Sequence, residues 1–116
     1  SAILAAMNSN DLRRLEEAGA VAEIPAGHVL IERGQFGSGL YLILEGTVVV
    51  EAPEGNVEFG PRSLIGERAL LSAAGKRSAR VRATSALRVL AVDRHEFERL
   101  CADDPAFARR LADASA

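Results

Sequence analysis

The chain has 116 residues, the length of one domain, and its 48% hydrophobic content suffices for a core that must be aliphatic, because aromatics supply only 4%. A formal net charge of −2 gives no overall attraction to nucleic acid, and no apolar run reaches the length of a membrane span. The single cysteine, Cys101, excludes an internal disulfide and cannot by itself make a metal site; within a helical pattern it reads as a small packing residue, which fits a reducing, cytoplasmic setting.

The spacing predicts a helix over residues 3–18, with Ser9 or Asn10 as an N-cap for its second set of turns and Leu12, Leu15 and Ala18 as its apolar stripe. Gly19 ends it. Residues 21–24 alternate as a strand and meet the turn Pro25-Ala26-Gly27. Residues 28–32 form the next strand, closed by Arg33-Gly34, and the glycines and serine of residues 35–39 predict a loop. Residues 40–44 are a continuous apolar run, the pattern of a buried strand. After Glu45-Gly46 the β-branched residues 47–51 make a strand, and Pro53-Glu54-Gly55-Asn56 makes a hairpin turn. Residues 57–59 return as a short strand, broken by Gly60-Pro61. Residues 66–71 read as a short helical turn, residues 77–83 as a strand, and residues 87–92 as the last strand. Asp93 caps a helix containing Phe97 and Leu100, with Glu96 completing a capping-box-like pattern. Asp103 or Asp104 caps a final helix with Pro105 in its first turn and Phe107, Ala108 and Leu111 on its apolar face.

Short strands separated by Gly and Pro turns every eight to twelve residues or so point to a sandwich or barrel. With helices at both ends and one short helix inside, the expected class is α+β, mainly β: a jelly-roll-like β-roll with N-terminal helices, a short internal helix and C-terminal helices.

The chemistry concentrates in residues 66–83. Gly66 permits close backbone approach, and the free N–H groups of the turn that follows attract an anion. Arg77 adds a planar fork of donors, with Ser78 as a neutral partner. Glu67 only accepts, so it suits a hydroxyl. An anion and a hydroxyl on one small molecule suggest a sugar phosphate. The same residues also read more plainly: Glu67 and Arg68 as a solvated pair, Arg77 as a salt-bridge partner of Glu67, and Ser78 as a small residue at a strand edge.

Lys76, Arg77, Arg80, Arg82 and Arg88 form a basic stretch, with Arg80 and Arg82 on one strand face; given the acidic total and few aromatics it reads as a solvated outer face, not a nucleic-acid patch. His28 and His95 have no second ligand at metal spacing, and Ser72 and Ser78 have no histidine nearby, so neither a metal nor a catalytic residue is assigned.

Ile65-Gly66-Glu67-Arg68-Ala69-Leu70, a variable loop over residues 72–76, and Arg77-Ser78-Ala79 together resemble the phosphate-binding cassette of cyclic nucleotide-binding domains, of the kind found in catabolite activator proteins and protein kinase A regulatory subunits. The resemblance extends over nearly the whole chain: Pro25-Ala26-Gly27-His28-Val29-Leu30 is similar to the family's opening turn and strand, and residues 34–48, with Gly34 and Gly46 at the turns, to its central hairpin. It implies a cyclic nucleotide ligand, cAMP or cGMP, held by Gly66, Glu67, Arg68, Ala69, Arg77 and Ser78. Glu67 would accept from the ribose 2′-hydroxyl, Arg77 and the amides after Gly66 would hold the cyclic phosphate, and Ser78 would contact the phosphate or base. It also implies a regulatory module that does no chemistry and signals by movement of its cassette helix and C-terminal helices to an output domain, with a homodimer contact through the C-terminal helix.

Three features depart from the pattern. Arg62-Ser63 follow Gly60-Pro61 where the family often has Gly-Asp, Arg68 stands where it is usually apolar or small, and the chain stops at Ala116 inside the last expected helix. With Ser1 in place of a methionine start, the expectation is one cyclic nucleotide-binding domain over residues 1–116, excised from a longer protein. The alternatives are a degenerate β-roll used for protein interaction and a cupin-like enzyme, against which the missing His-x-His pattern counts.

Overall fold

The computed structural model describes residues 9–35, 39–66 and 79–115. Helix α1 spans Ser9–Ala18. The strands follow as β1 (Ala20–Ile24), β2 (Val29–Ile31), β3 (Gly39–Glu45), β4 (Val48–Ala52), β5 (Gly55–Phe59), β6 (Leu64–Ile65), β7 (Arg80–Ala83) and β8 (Leu87–Asp93). Helices α2 (Arg94–Asp103) and α3 (Pro105–Ser115) come last. Among the described residues the strands form two four-stranded sheets, ordered β1-β8-β3-β6 and β2-β7-β4-β5, with antiparallel pairing throughout. The α+β expectation is met: helices at both ends flank a two-sheet core of eight strands.

Side chains alternate across a strand, and β3 and β8 use both faces. Leu40 and Leu42 of β3, with Leu90 and Val92 of β8, meet Leu15 of α1, Phe97 of α2 and Phe107 and Leu111 of α3. Ile43, Leu87 and Val89 face the other way and meet Ile31, Val48, Val81 and Ala83 of the second sheet. The molecule is thus layered as helices, first sheet, second sheet, with one apolar layer in each gap. This is why residues 40–43 and 87–92 are nearly unbroken apolar runs, whereas β7 alternates Arg80, Val81, Arg82, Ala83. The outer face of the second sheet meets solvent, and there Arg80 pairs with Glu32 at 2.8 Å and Arg82 with Glu51 at 3.4 Å. Of the basic stretch, Arg80 and Arg82 on β7 are therefore part of an ion-paired outer face. Each fully buried Leu, Val or Phe contributes about 1.5–3 kcal/mol, so the two layers carry the fold.

Several local expectations hold. Glu96 N–H donates to the Asp93 carboxylate at 2.8 Å, which makes Asp93 the N-cap of α2. Gly19 N–H closes α1 on Leu15 carbonyl at 2.9 Å. Gly27, Gly34 and Gly46 have φ of 87°, 85° and 94°, as their turns require.

Others need correction. Ser9 and Asn10 lie within helical geometry and are not caps. Gly39 opens β3 and is no loop residue: a Cβ there would meet the Val92 carbonyl oxygen at 2.6 Å, so its small size serves close strand packing. Leu44, expected in a buried run, is 38% exposed because β3 continues past the cover of the helices. The hairpin turn is only Pro53-Glu54, with Ala52 opposite Gly55, so Gly55 and Asn56 belong to β5. Strand β2 is shorter than residues 28–32. Strand β6 went unforeseen, because two residues after a Gly-Pro break show no periodicity; Leu64 joins one core layer and Ile65 the other. The expected helical residues 3–8, the internal helix over residues 67–71 and residues 36–38 of the expected loop lie outside the described residues.

Candidate functional site

Of the expected binding residues, Gly66 is described, and Glu67, Arg68, Ala69, Arg77 and Ser78 lie outside the described residues. What the fold defines is the frame around them. Strand β6 ends at Ile65 beside Tyr41 of β3, in the first sheet. Gly66 follows with φ of 93°, a left-handed geometry that glycine adopts without the clash a Cβ would bring. The described chain resumes at Ala79 and enters β7, which lies between β2 and β4 in the second sheet. Between Gly66 and Ala79 the chain crosses from one sheet to the other.

Strand directions place this crossing at the same end as the start of β3 and the close of β8, which face each other as Gly39 and Asp93. The opposite end carries short links. There Thr84 N–H donates to Thr47 carbonyl at 3.0 Å, Thr47 N–H donates to Ser85 Oγ at 3.0 Å, and the Thr47 and Thr84 hydroxyls lie 2.7 Å apart. One end is stitched, and at the other the described chain leaves β6 at Gly66 and enters β7 from Ala79. An open cleft of about 440 Å³ lined by Glu23, Ile24, Pro25, Glu45, Ala86, Leu87 and Arg88 belongs to the stitched end, and Gly66 is not among its described lining residues.

The approach to Gly66 is held from below. Arg62 has φ of 72°, and its N–H donates to Ile43 carbonyl at 2.7 Å. Ile43 N–H in turn donates to the carbonyl of Ser63, which is 5% exposed, at 2.9 Å. Arg62-Ser63, a departure from the family pattern, thus forms a tight turn on β3 that aims β6, and with it Gly66.

A charged cluster near the C-terminal helices escaped sequence reasoning. Asp11 of α1, 1% exposed, receives Arg110 of α3 through two hydrogen bonds, Nε to Oδ2 at 2.8 Å and Nη2 to Oδ1 at 2.6 Å. Arg110 Nη2 also donates to Asp104 Oδ2 at 3.0 Å, and Arg14 Nη1 pairs with the same oxygen. The one sequence signal was an acid four residues before Leu15, on the face that the apolar stripe buries. These contacts raise the Arg110 guanidinium above its ordinary value, chiefly through the hydrogen bond to Asp11 and then that to Asp104. They lower the Asp104 carboxyl, through Arg110 first and Arg14 second. Because that carboxyl is depressed only in the folded state, the unfolded chain takes the proton more readily. Its stabilisation is complete above about pH 4 and is lost as pH falls through the folded value. In urea unfolding, the stability deficit of Asp104→Asn is expected to be constant near neutrality and to shrink in acid; a deficit that persists unchanged in acid would contradict the pairing.

The family model for the cyclic nucleotide-binding domain matches residues 21–104. A cyclic nucleotide-gated potassium channel of Mesorhizobium japonicum is 36% identical over 85 residues, which cover 73% of this chain and 23% of the channel. The chain thus spans about a quarter of the length of such curated relatives. Among solved structures, one reported under a cyclic-GMP-dependent signalling pathway that regulates bacterial phytopathogenesis aligns with a TM-score of 0.80 and 28% identity, covering 94% of this chain and 90% of that one. The Thermus thermophilus catabolite activator protein aligns with a TM-score of 0.78 and 26% identity, covering 97% of this chain and 55% of that one.

Proposed function

The chain belongs to the cyclic nucleotide-binding domain family, and from that premise we propose that it is a regulatory module on a jelly-roll-like β-roll that binds cAMP or cGMP through the cassette of residues 66–79. The family acts by binding and not by catalysis, and this chain is read the same way. The observation that carries the proposal is the frame: a left-handed Gly66 directly follows β6 in one sheet, Ala79 directly precedes β7 in the other, and the sequence between them holds Glu67, Arg77 and Ser78. Amides after Gly66, those of Glu67, Arg68 and Ala69, would bond the cyclic phosphate together with Arg77. Glu67 would accept from the ribose 2′-hydroxyl, and Ser78 would contact the phosphate or base. The signal would pass to an output domain elsewhere in a longer chain by displacement of the C-terminal helices, which requires that the nucleotide bind the two arrangements unequally.

Calorimetric titration with cAMP and cGMP tests this. Saturable micromolar binding is expected. Charge-assisted hydrogen bonds contribute about 1.5–3 kcal/mol each, so Arg77→Ala should weaken binding by about 10- to 100-fold. Glu67→Ala should weaken binding of cAMP but leave that of 2′-deoxy-cAMP almost unchanged, since the partner hydroxyl is already gone. Absence of heat and of any thermal shift at millimolar nucleotide would refute the reading.

A further inference from the structure

We propose that Asp11, Arg14, Asp104 and Arg110 form an ionic clamp that makes α1 and α3 one mechanical element, so that a displacement of the C-terminal helix is carried into the N-terminal helix. The cluster holds two guanidinium and two carboxylate groups and joins α1, the α2–α3 joint and α3. The Arg110 fork on Asp11 is planar and bidentate, and Asp11 is buried. Sliding α3 along α1 would break both bonds while the carboxylate stayed out of water, a costly step for a buried charge.

The contacts of the same helices with the first sheet are different in kind. They are aliphatic and aromatic, from Leu15, Phe107 and Leu111 onto Leu40, Leu42, Leu90 and Val92. Such contacts have no preferred direction, and a small slide re-forms them. The plane of easiest movement therefore lies between the helices and the sheet, not between α1 and α3. Helix α2 is tied to both sides: it begins at Arg94, directly after the last residue of β8, with Asp93 as its cap, and its Phe97 ring meets that of Phe107 on α3 at 6.1 Å, so it is the link on which the clamped pair turns. The chain leaves helical geometry between α2 and α3 at Asp104, where φ is −141° and ψ 88°. That joint residue is itself held by Arg14 and Arg110, so bending there also strains the clamp.

The role of the clamp in signalling rests on the nucleotide reading above; the clamp itself does not. The test is distance measurement between paired spin labels in a Cys101→Ser background. One pair, at Glu17→Cys and Arg109→Cys, exposed positions on α1 and α3, reports the clamp. A second, at Glu54→Cys and Arg109→Cys, reports α3 against the second sheet. Without nucleotide, the first pair is expected to give one narrow distance that Arg110→Met abolishes. If Arg110→Met fails to fold, Arg110→Lys, which keeps the charge and loses the fork, takes its place. With cAMP or cGMP added, the second distance is expected to shift while the first stays constant. A narrow first distance that survives loss of the fork would overturn the proposal. So would a first distance that changes when nucleotide binds. Failure of both nucleotides to bind would count against the proposed function alone, and the nucleotide-free arm would still decide the clamp.

Discussion

Gly46→Ala is expected to destabilise the fold by about 3 kcal/mol, the sum of a left-handed backbone forced on a residue with a Cβ and an overpacked contact. Gly46 has φ of 94°. A Cβ built there would meet the Ala86 carbonyl oxygen at 2.4 Å, Leu87 Cδ2 at 2.8 Å and Ser85 Oγ at 2.9 Å. The nearest atom belongs to the backbone of the link between β7 and β8, which the bonds of Thr47 to Thr84 and Ser85 hold in place. The neighbour therefore cannot move aside cheaply. Urea unfolding should show a lower midpoint with an unchanged slope. A loss below about 1 kcal/mol would mean that the 84–86 link yields, and the stitched end would not be the rigid end.

Phe107→Ala is expected to cost about 3–5 kcal/mol, the range for emptying a buried aromatic site. Phe107 is fully buried, its ring centroid lies 6.1 Å from that of Phe97 at 55°, and it shares a layer with Leu15, Leu42 and Leu111. For a domain of this size the midpoint of thermal unfolding should fall by roughly 15 °C or more. This substitution and loss of the Arg110 fork act on different surfaces of α3. The first weakens its non-directional hold on the sheet. The second removes its directional bond to α1. A Phe107→Ala effect below about 1 kcal/mol would show that α3 is held by the clamp and not by the core.

Much of the architecture was legible locally, and the particular elements show why. Asp93 and Glu96 are three residues apart, so the cap was visible in one window. The glycines at 27, 34 and 46 marked turns because few other residues tolerate positive φ. Strand β6 was invisible because two residues carry no period, and Gly39 was misread because a glycine at a strand start looks like a loop until Val92 is placed against it. At the site, the residue types and spacing from Gly66 to Ser78 are the basis of the proposed chemistry, since a cassette is local in sequence. That β6 and β7, on either side of the candidate site, belong to different sheets was not legible, because it depends on which strands pair.

The sequence by itself determined the α+β class, the turns at Gly27, Gly34 and Gly46 and the cap at Asp93, all of which follow from interactions between residues a few positions apart. Only the tertiary structure decided that β3 and β8 are covered on both faces, that Leu44 escapes cover, and that Asp11 meets Arg110. An apolar run records that a strand is buried but not by what, and a buried carboxylate 99 positions from its partner leaves no periodic trace in the chain. Such pairs are chosen when hydrophobic layers close and leave each charge only the partner that the packing brings within reach.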